Sequence, residues 1–189
     1  MKKLPVAALA ALALAATLPL PVQADDPVTP VQGAVCNLYL FGEVYDARKS
    51  AEITASIAEK PAAATFVDSA AEFKAKKKNN NVESNWGMWT GWLKQEKAGT
   101  YTFTCTMNAY QMQNSYSIWI NGQKALANVA GQNSFDVELA AGFNSVKIVV
   151  HDDSSNDAHP LTINYKKKGS VKDPVSFGPE NMFYDDEEE

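Results

Sequence analysis

Residues 100–107 read TYTFTCTM, and the alternation in that stretch decides the fold class. Tyr101, Phe103, Cys105 and Met107 fall on one side of an extended chain, and Thr102, Thr104 and Thr106 on the other. A period of two with apolar residues on one face is the pattern of a half-buried strand. The same period recurs on both sides of it. Tyr116, Ile118 and Ile120 repeat the pattern and run into Asn121-Gly122, a tight hairpin signal. Further strands are expected at Cys36–Phe41, Trp86–Lys94, Phe135–Leu139, Val146–His151 and Leu161–Lys166. Short strands separated by turn residues predict a mainly β chain, an antiparallel β-sandwich of jelly-roll type. The alanine-rich span Asp46–Phe73 is the exception, where a short helix before residue 74 is expected.

The chain has 189 residues, with 22 acidic and 17 basic side chains. That balance argues against a surface built to grip nucleic acid. Lys2 and Lys3 precede an Ala/Leu run from Val6 to Leu20, and Val22-Gln23-Ala24 is a small-x-small cleavage pattern. Residues 1–24 therefore read as a signal peptide, too short in its apolar run to span a bilayer. Residues 25–32 read as a linker, 33–184 as one β-sandwich domain, and 185–189 as an acidic disordered tail. No second apolar run would hold the mature chain in a membrane. Both lysines leave with the leader, and five acids lie in the tail, so the body of the domain is close to neutral. Export to an oxidising compartment makes a Cys36–Cys105 disulfide the expected state, with two buried thiols as the alternative.

Chemistry is sparse. There is no glycine-rich phosphate loop, no G-x-S-x-G elbow, no H-E-x-x-H and no C-x-x-C. The densest polar cluster runs from His151 to His159 between two expected strands. Asp152, Asp153, Asn156 and Asp157 offer the oxygen ligands that calcium takes. The two histidines with an aspartate would instead suit zinc, and a solvated hairpin loop explains the same composition without a metal. The middle of the chain is rich in aromatics: Trp86, Trp89, Trp92, Tyr110, Tyr116 and Trp119. Trp119 alternates out of phase with Ile118 and Ile120, so it faces solvent or a second layer. Exposed rings beside amides such as Gln113 and Asn114 suit sugar or protein recognition, while core packing accounts for some of the rings.

Trp89-Thr90-Gly91-Trp92-Leu93, Gly99-Thr100-Tyr101-Thr102-Phe103, Ser117-Ile118-Trp119-Ile120-Asn121-Gly122 and Leu139-Ala140-Ala141-Gly142 follow one another in a recognisable order. With Leu161–Tyr165 and Pro179–Tyr184 they resemble the domain family named after the anthrax protective antigen, over roughly Trp86–Tyr184. The resemblance implies a β-sandwich module of secreted enzymes, toxins and adhesins, several of which bind carbohydrate through calcium held by two adjacent aspartates. Here Gln113 and Asn114 stand at the best-matching positions, and Asn121 replaces the hairpin aspartate. Neutral amides bring no charge to a calcium ion.

The expected function is a secreted or cell-surface, non-catalytic binding module. It would recognise a glycan or surface glycoprotein through Tyr110, Gln113, Asn114, Tyr116, Trp119 and Asn121 at one end of the sandwich. Calcium at Asp152, Asp153, Asn156 and Asp157 is the candidate cofactor. The alternatives are an assembly subunit with an envelope protein partner and, third, a glycan-acting hydrolase. The location is periplasmic, cell-surface or extracellular, and no nucleic-acid partner is expected.

Overall fold

The structure is a computed structural model describing residues 26–39, 61–75, 78–79, 82–83, 86–108, 114–129, 131–152 and 159–186. In chain order its strands are β1 (Pro30–Gln32), β2 (Ala34–Tyr39), β3 (Ala64–Asp68), β4 (Lys78–Asn79), β5 (Val82–Glu83), β6 (Trp86–Gln95) and β7 (Gly99–Met107). Then follow β8 (Ser115–Ile120), β9 (Gln123–Val129), β10 (Gly131–Leu139), β11 (Gly142–His151), β12 (Thr162–Lys167), β13 (Val175–Phe177) and β14 (Met182–Asp185). Every pairing is antiparallel.

An eight-stranded sheet in the order β1-β14-β6-β11-β8-β9, with β2 and β3 beside β6, faces a four-stranded sheet in the order β10-β7-β12-β13. A two-residue-strand ribbon, β4-β5, stands apart. The expected sandwich is present. The TYTFTCTM strand is central to the smaller sheet, between β10 and β12. Its Tyr101, Phe103, Cys105 and Met107 are buried, and they meet Trp89, Leu93, Ile118, Ile148 and Val150 of the larger sheet in one core. Thr102 and Thr104 on the other face hydrogen-bond across to β10, to Asp136 at 2.6 Å and Ser134 at 3.0 Å.

Strand β6 organises the larger sheet. Along one side it pairs with β11 from end to end. Along the other it meets two strands in succession: β2 against Trp86–Thr90, then β14 against Trp92–Leu93. Gly91 lies at the change of partner, and a Cβ there would stand 2.5 Å from the Phe183 carbonyl oxygen. Only a residue without a side chain allows the second strand to dock. The Asn121-Gly122 turn also forms as expected: φ is 50° at Asn121 and 73° at Gly122, the left-handed pair of a two-residue hairpin.

Three expectations need correction. Ala64–Asp68 of the alanine-rich span is strand β3, paired with β2, and the described part of that span holds no α-helix. Thr65-Phe66-Val67 supplies the β-branched and aromatic side chains that outweigh the alanines; residues 46–60 lie outside the described set. Among the described residues the helical element is a single 3-10 turn, Pro179–Asn181. At the ends, Pro30–Gln32 of the segment read as linker is β1, and Asp185 of the segment read as tail closes β14 opposite Pro30. The Asp185 carboxylate accepts from the Val28 and Thr29 amides at 3.1 and 2.8 Å, and from Thr29 Oγ1 at 2.9 Å. Those bonds hold its carboxyl below the usual range.

The third correction concerns the cysteines. Cys36 and Cys105 are buried thiols, with no disulfide between them. Cys36 belongs to the eight-stranded sheet and Cys105 to the four-stranded one. Both side chains are taken up in the apolar core between the sheets, Cys36 from one and Cys105 from the other. Burial pushes the Cys105 thiol up to about 12, which leaves it without thiolate reactivity at neutral pH. Iodoacetamide is therefore expected to leave both cysteines unmodified in the folded protein. After denaturation without reductant both should be alkylated, as read by mass spectrometry. A denatured sample that takes no label would show a bridge.

Candidate functional site

The registers of β2, β6, β11, β8 and β9 lay out the outer face of the larger sheet in rows. The first row is Tyr39, Trp86, His151 and Ser115; the second is Asn37, Met88, Val149 and Ser117. These rows form a second, smaller apolar cluster of Tyr39, Trp86, Met88 and Val149, with Ala62 and Trp119 packed against it. His151 stacks on Trp86 at 4.2 Å between ring centroids. Lower on the same face the next row reads Val35, Thr90, Lys147, Trp119 and Lys124, and below it stand Phe183, Trp92 and Ser145.

Over these lower rows the surface is concave. A depression of about 970 Å³ is lined by Thr90, Trp92, Trp119, Ser145 and Lys147, with Thr65 and Val35 on one wall and Tyr184 to Asp186 on another. Because side chains alternate along each strand, Val146 and Gly91 contribute backbone to its floor. Trp119 sits where the covered rows end and the depression begins. A register shift between Ile118 and Trp119 brings Lys124 opposite its ring, with Lys147 opposite from the other side. Lys147 Nζ lies 4.2 Å from the ring centroid and Lys124 Nζ 5.8 Å, both within cation–π range. Partial burial holds Lys147 below the ordinary lysine range. Among the described residues neither ammonium has a carboxylate partner.

The fold is similar to those of PA14 and adhesin A domains. A PA14 sugar-binding domain from an RTX adhesin superposes at TM-score 0.59 and 21% identity, over 82% of this chain and 99% of that one. An engineered epithelial adhesin A domain from Candida glabrata, solved with β-lactose, gives TM-score 0.61 at 8% identity, covering 90% and 96%. An anti-sigma factor domain-containing protein matches at TM-score 0.55 and 14% identity over 82% of this chain, which spans about half (48%) of that protein's length. No family model and no curated protein matches the sequence. At these identities the likeness is one of fold.

Within this PA14-like fold the expected site residues separate. Ser115 pairs with His151, so the loops that follow β7 and β11 do leave the same end of the sheet. Asn114 and Asp152 are buried there: Asn114 Nδ2 donates to the Asn108 carbonyl at 3.2 Å, and Asp152 Oδ2 accepts from the His159 amide at 2.7 Å. Tyr110, Gln113, Asp153, Asn156 and Asp157 lie outside the described residues. Tyr116 points the other way, into the core, where its hydroxyl accepts from Asn133 Nδ2 at 2.7 Å. Burial pushes that phenol up to about 12. Asn121 lies at the opposite end of β8, roughly 24 Å from Asn114 at ~3.4 Å per residue. Its side chain ties the hairpin to β11, accepting from the Ser145 amide and donating to Asn144 Oδ1, each at 3.0 Å.

Of the described members of the expected ligand-binding set, Trp119 is the one that lines the depression. Of the expected calcium ligands Asp152 alone belongs to the described residues. Asp152 is committed to His159, and no cluster of three or more metal-ligating side chains occurs among the described residues. The lysines were missed because each is ordinary in sequence. Lys147 in particular reads as the solvent-facing member of an alternating strand until β8 places Trp119 beside it. Among the described residues no helix is long and apolar enough to cross a membrane.

Proposed function

We propose that this protein is an exported, surface or extracellular binding module that recognises carbohydrate without catalysis, in the depression on the outer face of its eight-stranded sheet. The observation that carries this reading is the depression itself, where two tryptophans and the hydroxyls of Thr90 and Ser145 face a volume suited to a small ligand. The Trp92 ring against an apolar sugar face, with hydroxyls on polar edges, is the chemistry such recognition uses. The PA14 sugar-binding domain and the lactose-bound adhesin domain with similar folds support the ligand class.

The hydrolase alternative needs two acids converging on a substrate. Asp185 and Asp186 do line the depression, but the Asp185 carboxylate is spent on pinning β14 to the N-terminal segment. The assembly alternative needs a contiguous apolar patch at a sheet edge. Among the described residues the exposed large apolar side chains are Val171 and Val175 at edge strand β13, Val28 and Val31 at β1, and Val67 on β3; a monomer on size exclusion would argue against assembly through them.

A glycan array probed with and without chelator tests the proposal. Binding to at least one saccharide is expected, unchanged by chelator. Ser145→Tyr, which fills the depression from an outward position, is expected to abolish it. A folded protein that binds no saccharide, or a Ser145→Tyr variant that binds like the parent, overturns the reading.

A further inference from the structure

The row Lys147–Trp119–Lys124 crosses three adjacent strands, and both ammonium groups lean on one indole. With Lys147 at 4.2 Å over its ring, Trp119 cannot offer that same face to a sugar. It holds a cation instead. An ammonium that is partly withdrawn from water without a carboxylate partner costs stability, and the natural compensation is an anion. We infer that the depression takes an acidic saccharide, whose anionic group is held by Lys147 in the lining, with Lys124 adding positive charge from beyond Trp119. This rests on the carbohydrate reading above and names the class of sugar.

Of the two acids on the far wall, Asp186 is the one left to accept from a saccharide hydroxyl, since Asp185 is held by Val28 and Thr29. Strand β6 separates β14 from β11, so Asp185 stands roughly 10 Å from the lysine row at ~4.8 Å per strand spacing. The depression is thus cationic at one side and offers an acceptor at the other, with Thr90 and Ser145 between. A saccharide bearing one acid group and several hydroxyl donors matches that polarity, acid toward β8 and hydroxyls toward β14. A neutral saccharide leaves the lysines unanswered.

The test is an array carrying uronate- and sialate-terminated saccharides and sulfated saccharides, each beside its carboxyl-reduced or unsulfated counterpart. Preference for acidic members is expected, with carboxylated and sulfated arms showing which anionic group is taken. The affinity for the preferred member should fall by about tenfold or more in Lys147→Gln, the size expected for a charge-assisted contact. It should recover in Lys147→Arg and weaken as salt rises. Lys124→Gln should show a smaller loss. Thermal melts of each variant establish that it is folded; loss of a partly desolvated charge should leave Lys147→Gln at least as stable as the parent. Equal binding of acidic and neutral members, or an acidic preference that survives Lys147→Gln, overturns this inference while leaving carbohydrate binding intact. Binding to no member overturns both.

Discussion

Phe103→Ala is expected to lower the unfolding free energy by about 3–5 kcal/mol, the range for emptying a buried aromatic site. Phe103 is 1% exposed and sits at the middle of the smaller sheet. Its cross-strand partners are Phe135 on β10 and Tyr165 on β12. The three rings stack across the sheet, with centroids 5.4 and 5.2 Å from Phe103 and planes within 16°. Phe177 on β13 closes the group edge-on at 6.3 Å. Truncation removes ring contacts on several sides at once, and neighbours anchored in paired strands cannot collapse into the space. A domain of this size holds only ~5–15 kcal/mol in total. At ~2–4 °C per kcal/mol the melting temperature should drop by roughly 6–20 °C. Phe103→Leu keeps much of the volume and should lose less. Urea denaturation of the two variants decides it: an alanine variant within about 1 kcal/mol of the parent would mean that the aromatic row contributes no more than a single surface contact.

That row was readable in advance because it depends on local alternation. Tyr101, Phe103 and Cys105 had to share a face, and a face so apolar had to be covered. The same alternation puts Trp89 and Trp92 on opposite faces of one strand without saying which face is core; the packing of the two sheets makes Trp89 the inward one. Alternation failed where the decisive contact is between strands far apart in the chain. Asn121 looked like a binding residue because the resemblance put it at a site position. The register of β8 against β11 moves it to the far end of the sheet and makes it a tie to Ser145 and Asn144. Tyr116 looked like a recognition ring beside a polar loop, yet its phase with Ile118 and Ile120 already assigned it to the core. Trp119 was singled out correctly by phase. What sits on it was not legible, since Lys124 follows from a register shift and Lys147 from pairing with a position 28 residues further along.

The second large effect lies in a contact of that non-local kind. Trp89 is fully buried, and its Nε1 donates to Asp68 Oδ2 at 2.9 Å across 21 residues of chain. Asp68 is 5% exposed, and its other oxygen accepts from the Ala70 amide at 3.1 Å. A carboxylate so far from water depends on its donors. Trp89→Phe keeps an aromatic ring against Phe73, which meets Trp89 edge-on at 5.5 Å, but removes one of those donors. The expected cost is about 2–4 kcal/mol, combining a charge-assisted hydrogen bond with the lost ring volume. The double variant Trp89→Phe/Asp68→Leu separates the two contributions. Removing the acid together with its donor leaves no stranded charge, so the double variant should be more stable than Trp89→Phe alone. If it is less stable, the Asp68 carboxylate holds the fold through its other contacts and the indole bond is incidental. Because Trp89 projects into the core while Trp92 and Thr90 project to the opposite face of β6, saccharide affinity measured well below the melting transition should be unchanged in the single variant. The Trp89 side of β6 thus belongs to the core and the Thr90–Trp92 end of its other face to the proposed binding surface, and the two should respond to mutation independently.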